Sequence, residues 1–478
     1  MTVSLPSSPP SSQGIDARGI EGFLDALERN PAIEPHSLML LRHGSVVAAG
    51  WWTPFTPERR HLLYSLSKTF TVTALGFAVD EGLVDLDERV VDAFPEFAGE
   101  ITTSRAREIR IRHLAAMASG HTQEMLGAAI DTDPAEPVRG FLLHEPEQEP
   151  GTVFAYNQPC TYTVAAILQR RSGQNLVDYL RPRLFDPLGI PPVSWQAYPA
   201  DRAIGFSGLF ATTEAIAKLG QLYLDSGRWA GAQLLPEGWT DQVSTHWIDT
   251  PREGNPDWAQ GYGFQVWQAR HGYRGDGAFG QFCVILPEQD VVLATTLATE
   301  DMQTVLDAAW EHLLPAMTDG TAGGGDTAAD ERLAARLASL RLPAAPGGTE
   351  APAGVDPSGG YTPSPPPAGP GLSAVEVLAG DGGLRIRFTG EDGVAAEATL
   401  DATGWSIGEG DGRPPIAVSG GWEGGRLKVS VLFLETPHRL EAELDPATRA
   451  AAVRWAPAPL TGPALTGLGD LQAPRPLH

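Results

Sequence analysis

The chain has 478 residues, a formal net charge of −25 and 42% hydrophobic residues, enough for two or three domains with a full core in the largest. The acidic balance argues against nucleic acid and anionic membrane as partners. The opening residues, MTVSLPSSPPSSQG, lack the basic and apolar regions of a signal peptide. No stretch is long and apolar enough to span a bilayer. Cys160 and Cys283 lie in apolar contexts and read as unpaired core thiols, so the cytoplasm is the expected compartment.

Residues 1–19 read as a flexible polar tail, and residues 20–27 carry apolar positions at helical spacing. Two β-rich runs then flank His43-Gly44, the pattern of a hairpin with a tight turn. Residues 63–82, LYSLSKTFTVTALGFAVDEG, read as one helix whose apolar residues cover most of the circumference, so it is enclosed by other elements. Gly82 is its natural stop. Ser65 and Lys68 sit three apart at its head, where a hydroxyl and an amine one turn apart can share a proton. Lysine is scarce: of 34 basic residues only Lys68, Lys218 and Lys428 are lysine. Arginine cannot release its proton in a protein, whereas a desolvated lysine can, so a base position is one the default cation of this chain cannot fill.

Residues 110–118 form a short helical pattern stopped by Ser119-Gly120, with His121 directly after it as a candidate lining residue. Tyr156 stands on a loop just before a helix expected over residues 161–171 and ended by Gly173. Further helices are expected over residues 213–225 and 236–244. From Gly261 the period changes to three β-like runs, YGFQVWQA, FGQFCVILP and DVVLATTL, joined by HGYRGDGA and PEQD, and a helix over residues 301–317 closes the unit. This gives an α+β domain over residues 20–318, a Pro/Gly/Ala-rich linker over 319–370 with one short helical segment, and a small antiparallel β domain over 371–478.

Three separated pieces line up in chain order: Ser65-Leu66-Ser67-Lys68, then Tyr156-Asn157-Gln158, then a turn at Gly275-Asp276-Gly277. With the segments PRLFDPLGI and GYGFQVW, this order resembles the serine β-lactamase and penicillin-binding protein superfamily, in its class C-like branch of esterases and amide hydrolases. The resemblance implies a β-lactamase/transpeptidase-like fold, an antiparallel sheet flanked by helices plus a helical subdomain. It also implies that Ser65 is the nucleophile, that Lys68 and Tyr156 share the proton work, and that the backbone N–H groups of Ser65 and Ala278 hold the oxyanion. Either Lys68 is a desolvated amine or Tyr156 is a phenolate beside its ammonium; the sequence leaves both open.

Two departures bear on the substrate. Gln158 replaces the asparagine of Tyr-x-Asn, with Asn157 beside it. The third motif lacks the cation that would grip a substrate carboxylate; Arg274 or His271 stands nearby, and Asp276 disfavours an anion. The expected substrate-contacting residues are Gln158, Asn157, His121, Trp267, Asp276 and Gly277, and Trp258 and Trp267 are equally readable as an acyl pocket or as core. The expected function is hydrolysis of a small ester or amide. The alternatives are a β-lactamase or D-amino-acid peptidase/acyltransferase of the same fold and a catalytically silent binding protein. A small acyl compound is the expected partner, and no metal or cofactor motif is present. Residues 404–408 match Gly-x-Ser-x-Gly, but that motif needs a helix after the serine and both flanks here read as β.

Overall fold

The computed structural model describes residues 4–460 except 200, 251–253, 319–325, 346, 365–370, 381–382, 391–392, 401–403 and 411–412. Its central element is a six-stranded antiparallel sheet in the order Ser45–Trp51, Glu34–Arg42, Val291–Ala298, Gln281–Leu286, Tyr273–Gly277, Trp267–Gln268. The hairpin at His43-Gly44 pairs the first two, so the N-terminal strands dock beside the C-terminal ones. The run Ser-Leu-Met-Leu-Leu is apolar without alternation because both faces are covered. Leu38 and Leu40 join a core with Ile20, Phe23 and Leu24 of helix Ala17–Arg29 and Val305 of helix Met302–His312. Met39 and Leu41 join the opposite core with Ile216 and Leu219 of helix Thr213–Leu224.

On that second face lies the helical subdomain. Its axis is the helix Ser67–Asp80, buried along nearly its whole length, and each enclosed side chain such as Phe70 or Leu75 contributes about 1.5–3 kcal/mol. The expected single helix over residues 63–82 is divided. Tyr64–Leu66 is a 3₁₀ turn, and Tyr64 takes φ +48°, a backbone region costly for a non-glycine residue. Ser65 therefore projects from a strained turn at the helix entrance.

Three boundaries differ from the sequence reading. From residue 4 the N-terminal segment is packed against the domain: Val46 N–H donates to the Pro6 carbonyl (2.8 Å), Ser8 N–H donates to the Val46 carbonyl (3.0 Å) and Ile15 is buried. It covers the otherwise open edge of strand Ser45–Trp51, which a polar composition does not reveal. Within the span read as linker, helix Thr327–Leu337 buries Leu333, and Leu342 N–H donates to the Thr53 carbonyl (2.9 Å). Strand Gly359–Ser364, also in that span, belongs to the C-terminal sheet. Residues 1–3 of the tail, 319–325, 346 and 365–370 of the linker, and 461–478 of the β domain lie outside the described residues.

The C-terminal sheet has nine strands, opening on Gly393–Thr399 and ending on Ser406–Gly410. It curls until the two edges meet: a Cβ on Gly408 would stand 2.7 Å from the Glu397 carbonyl oxygen. Val375, Ile386, Phe388, Val418, Val429 and Leu444 fill its interior, so the unit is a packed, nearly closed barrel. Ser406 lies on an edge strand with no helix after it and bonds the Thr399 carbonyl, which disposes of Gly-x-Ser-x-Gly as a nucleophile elbow. Leu62 N–H donates to the Glu435 carbonyl (2.7 Å), and Ala417, Leu432 and Leu434 share a core with the six-stranded sheet. Among the described residues no helix is long and apolar enough to cross a membrane.

Candidate active site

The i, i+3 spacing brings the Lys68 Nζ to 3.0 Å from the Ser65 Oγ, and Nζ also donates to the Phe206 carbonyl at 2.9 Å. Lys68 is 1% exposed. Burial pushes its amine down to about 7, against the opposing pull of the Glu124 and Asp276 carboxylates. Ser67, the other serine of the motif, is structural: its Oγ accepts from the Leu209 N–H (3.0 Å).

Tyr156 reaches this pair from the loop before helix Gln158–Ser172. The Lys68 Nζ lies 4.6 Å from the centre of its ring, and its hydroxyl is beside Ser65. Burial raises the phenol above its ordinary range, which favours the neutral hydroxyl over the phenolate. Trp267 stacks on the Tyr156 ring (5.3 Å, 22°) and Tyr262 meets Trp267 edge-on (4.8 Å). Trp267 is thus the support behind Tyr156.

Two expected lining residues are turned into the protein. Asn157 Oδ1 accepts from the Met125 N–H (3.0 Å), and its Nδ2 is 3.5 Å from the Ser119 Oγ. His121 is 1% exposed, with Nδ1 3.0 Å from the Ser119 Oγ and Nε2 3.3 Å from the His144 carbonyl. Both brace the Ser119 turn, and this local satisfaction accounts for them without a substrate. Gln158 opens the helix, its N–H donating to the Glu124 carboxylate (3.1 Å), and its side-chain Oε1 is sheltered without a partner.

The third motif is a strand and not a turn. Tyr273–Gly277 pairs with Gln281–Leu286 on one side and Trp267–Gln268 on the other, and the chain reverses at Ala278, Phe279 and Gly280. Glycine here answers to proximity. A Cβ on Gly275 would stand 2.2 Å from the Thr69 Oγ1, and one on Gly277 would stand 2.0 Å from the Leu63 carbonyl oxygen. Gly277 therefore permits close contact between the strand and the turn Tyr64–Leu66. Neither the Ser65 nor the Ala278 N–H has a backbone carbonyl partner in the described turns, which leaves two amides free to receive a developing negative charge.

Asp276 and Arg274 form a buried ion pair (3.0 Å), with the Arg274 guanidinium 4.2 Å over Trp258 and donating to the Asp257 carbonyl (2.8 Å). Arg274 is 0% exposed. It does not stand in for the missing cation, and Asp276 is not a bare carboxylate facing substrate. Breaking such a pair strands a buried charge. Arg274→Met is expected to lower unfolding stability by about 3–5 kcal/mol in urea titrations, and Arg274→Met/Asp276→Asn by less; a single-variant loss below about 1 kcal/mol contradicts the pair's role.

Sequence reasoning missed Glu124, whose carboxylate accepts from the Leu126 N–H (2.7 Å) and Gln158 N–H and whose charge reaches Lys68. It also missed the Phe206 carbonyl. A lone acidic loop residue and a backbone oxygen carry no spacing signal.

The family described as Beta-lactamase matches residues 24–316. The chain is 25% identical over 231 residues to the 6-aminohexanoate-dimer hydrolase of Paenarthrobacter ureafaciens, a match covering 43% of this chain and 56% of that protein. Among solved structures, EstCE1, a hydrolase with promiscuous acyltransferase activity, superposes with a TM-score of 0.51 and 16% identity over 63% of this chain and 99% of its own. SurE with D-Leu superposes with a TM-score of 0.50 and 19% identity over 86% of this chain and 93% of its own. These two likenesses concern the fold alone, and the second extends into the β unit.

Proposed function

The chain belongs to the beta-lactamase family, and from that premise we propose that it is a serine hydrolase cleaving a small ester or amide through an acyl-serine intermediate. The observation that carries this reading is the buried Lys68 amine, 3.0 Å from the Ser65 Oγ with its pKa brought down to about 7. A serine hydroxyl is a weak nucleophile until a base takes its proton. Lys68, as the neutral amine, removes that proton while Oγ bonds to the substrate carbonyl carbon. The oxyanion rests on the N–H groups of Ser65 and Ala278. Collapse expels the alcohol or amine, which takes its proton from the Tyr156 hydroxyl, and the Lys68 ammonium returns a proton to Tyr156. Water then attacks the acyl-serine by the same transfers in reverse.

Arg274 is committed to Asp276 and sealed from solvent, which favours a neutral acyl compound over a penicillin or a peptide C-terminus that needs a counter-ion. The test is a panel of p-nitrophenyl esters, nitrocefin and D-amino acid amides assayed with the purified chain. Turnover of esters or amides above nitrocefin is expected; hydrolysis of nitrocefin alone contradicts the substrate reading, and no turnover of any of the three leaves the silent binding protein.

The base assignment fixes a pH dependence. The amine is neutral above its pKa and protonated below it, so kcat/KM is expected to be level above about 7 and to fall about tenfold per pH unit beneath. A profile flat down to pH ~5 contradicts Lys68 as the base.

A further inference from the structure

We propose that the C-terminal barrel completes the reactive centre, with His438 acting through Tyr64 as a positioning residue for the two amides that flank it. The proposal rests on the serine-hydrolase reading of Ser65.

Tyr64 directly precedes Ser65, and Phe279 directly follows Ala278. Both take positive φ, +48° and +69°, where side chains other than glycine are rarely found. Something must hold both turns in that state, and the barrel supplies it. The His438 ring meets Tyr64 edge-on at 5.8 Å and Phe279 edge-on at 5.4 Å, while Tyr64 and Phe279 meet each other at 5.3 Å. One residue of the barrel therefore touches the neighbours of both free amides. All three rings are buried, at 4%, 7% and 1% exposure for Tyr64, Phe279 and His438.

The hydrogen bonding has one consistent direction. His438 Nδ1 lies 3.1 Å from the Pro457 carbonyl, which only accepts, so Nδ1 carries the proton. Nε2 is then an acceptor, and the Tyr64 hydroxyl, 2.5 Å away, donates to it. The loop bearing His438 is itself fixed: Thr436 N–H donates to the Phe433 carbonyl (2.8 Å), His438 N–H donates to the Thr436 Oγ1 (3.2 Å), and the Glu435 carbonyl takes the Leu62 N–H. The chain thus runs from the barrel loop to His438, to Tyr64 and Phe279, and so to the amides of Ser65 and Ala278. An oxyanion site depends on donors aimed before the reaction begins, and here part of that aim comes from residues distant in sequence.

Tyr64→Phe keeps all three ring contacts and removes the hydrogen bond donated to His438 together with the one its oxygen accepts from the Leu460 backbone. With a p-nitrophenyl ester that wild type turns over, kcat is expected to fall about tenfold or more with KM within about twofold, since misaimed donors weaken the transition state more than the ground state. His438→Leu is expected to lower kcat at least as much. Because both changes delete one shared bond, the double variant should lose less than the product of the two single losses. Wild-type kcat in Tyr64→Phe, a loss confined to KM, or single losses that multiply in the double variant each overturn the proposal. Reaction with a fluorophosphonate separates this from the reading beneath it. Wild type that takes no label at Ser65 sinks the serine mechanism, whereas labelling of wild type and Tyr64→Phe at equal rates sinks only the positioning role.

Discussion

Ser65→Ala is expected to lower kcat for ester hydrolysis by about 10⁴-fold or more, the loss typical of removing a serine nucleophile. The variant loses one oxygen from a half-buried position on the turn Tyr64–Leu66, so neither the core nor the strand contact at Gly277 is touched. Lys68 keeps its bond to the Phe206 carbonyl, and the amides of Ser65 and Ala278 remain available from the backbone. What survives is binding and oxyanion stabilisation without a covalent route. The comparison is therefore made on kcat with the unfolding midpoint as control: an unchanged midpoint with retained turnover places the nucleophile elsewhere.

Replacing Lys68 by methionine, of similar length and without charge, is expected to reduce kcat by about 10²- to 10⁴-fold, the usual contribution of a positioned general base. It is also expected to abolish the rate limb near pH 7. The site tolerates the apolar chain because Lys68 is enclosed within helix Ser67–Asp80. Arginine is the more revealing exchange, since it restores a cation and cannot act as a base. If a cation alone were required, Lys68→Arg would rescue Lys68→Met; the mechanism predicts that it does not. Measuring kcat of both variants across pH 5–9 checks this directly.

The enclosed helix could be read from its apolar circumference because burial on all sides leaves no polar stripe, and the i, i+3 spacing suggests the Ser65–Lys68 pairing although Ser65 sits on the 3₁₀ turn ahead of the helix. The scarcity of lysine adds a chemical reason for that position. Tyr156 could be placed only through the family resemblance, because a tyrosine on a loop has no periodic signature. The third motif was misread for a physical reason: glycines in Tyr273–Gly277 look like a turn, yet they mark a strand pressed against the Leu63 carbonyl and Thr69. That neighbour is about two hundred residues away in the chain, beyond any local pattern. Asn157 and His121 mislead in the opposite sense, polar residues near the motifs whose hydrogen bonds are satisfied internally at Ser119. Helix Thr327–Leu337 was visible within a Pro/Gly-rich span, but its packing on the first domain was not. Most distant of all is His438, whose contact with Tyr64 spans 374 positions.

The most direct measurement is the mass of the intact chain after reaction with a fluorophosphonate, followed by mapping of the modified peptide. The account predicts a single adduct on the peptide containing Ser65 and none in Ser65→Ala. An adduct that persists in Ser65→Ala, on Ser406 or any other serine, contradicts it.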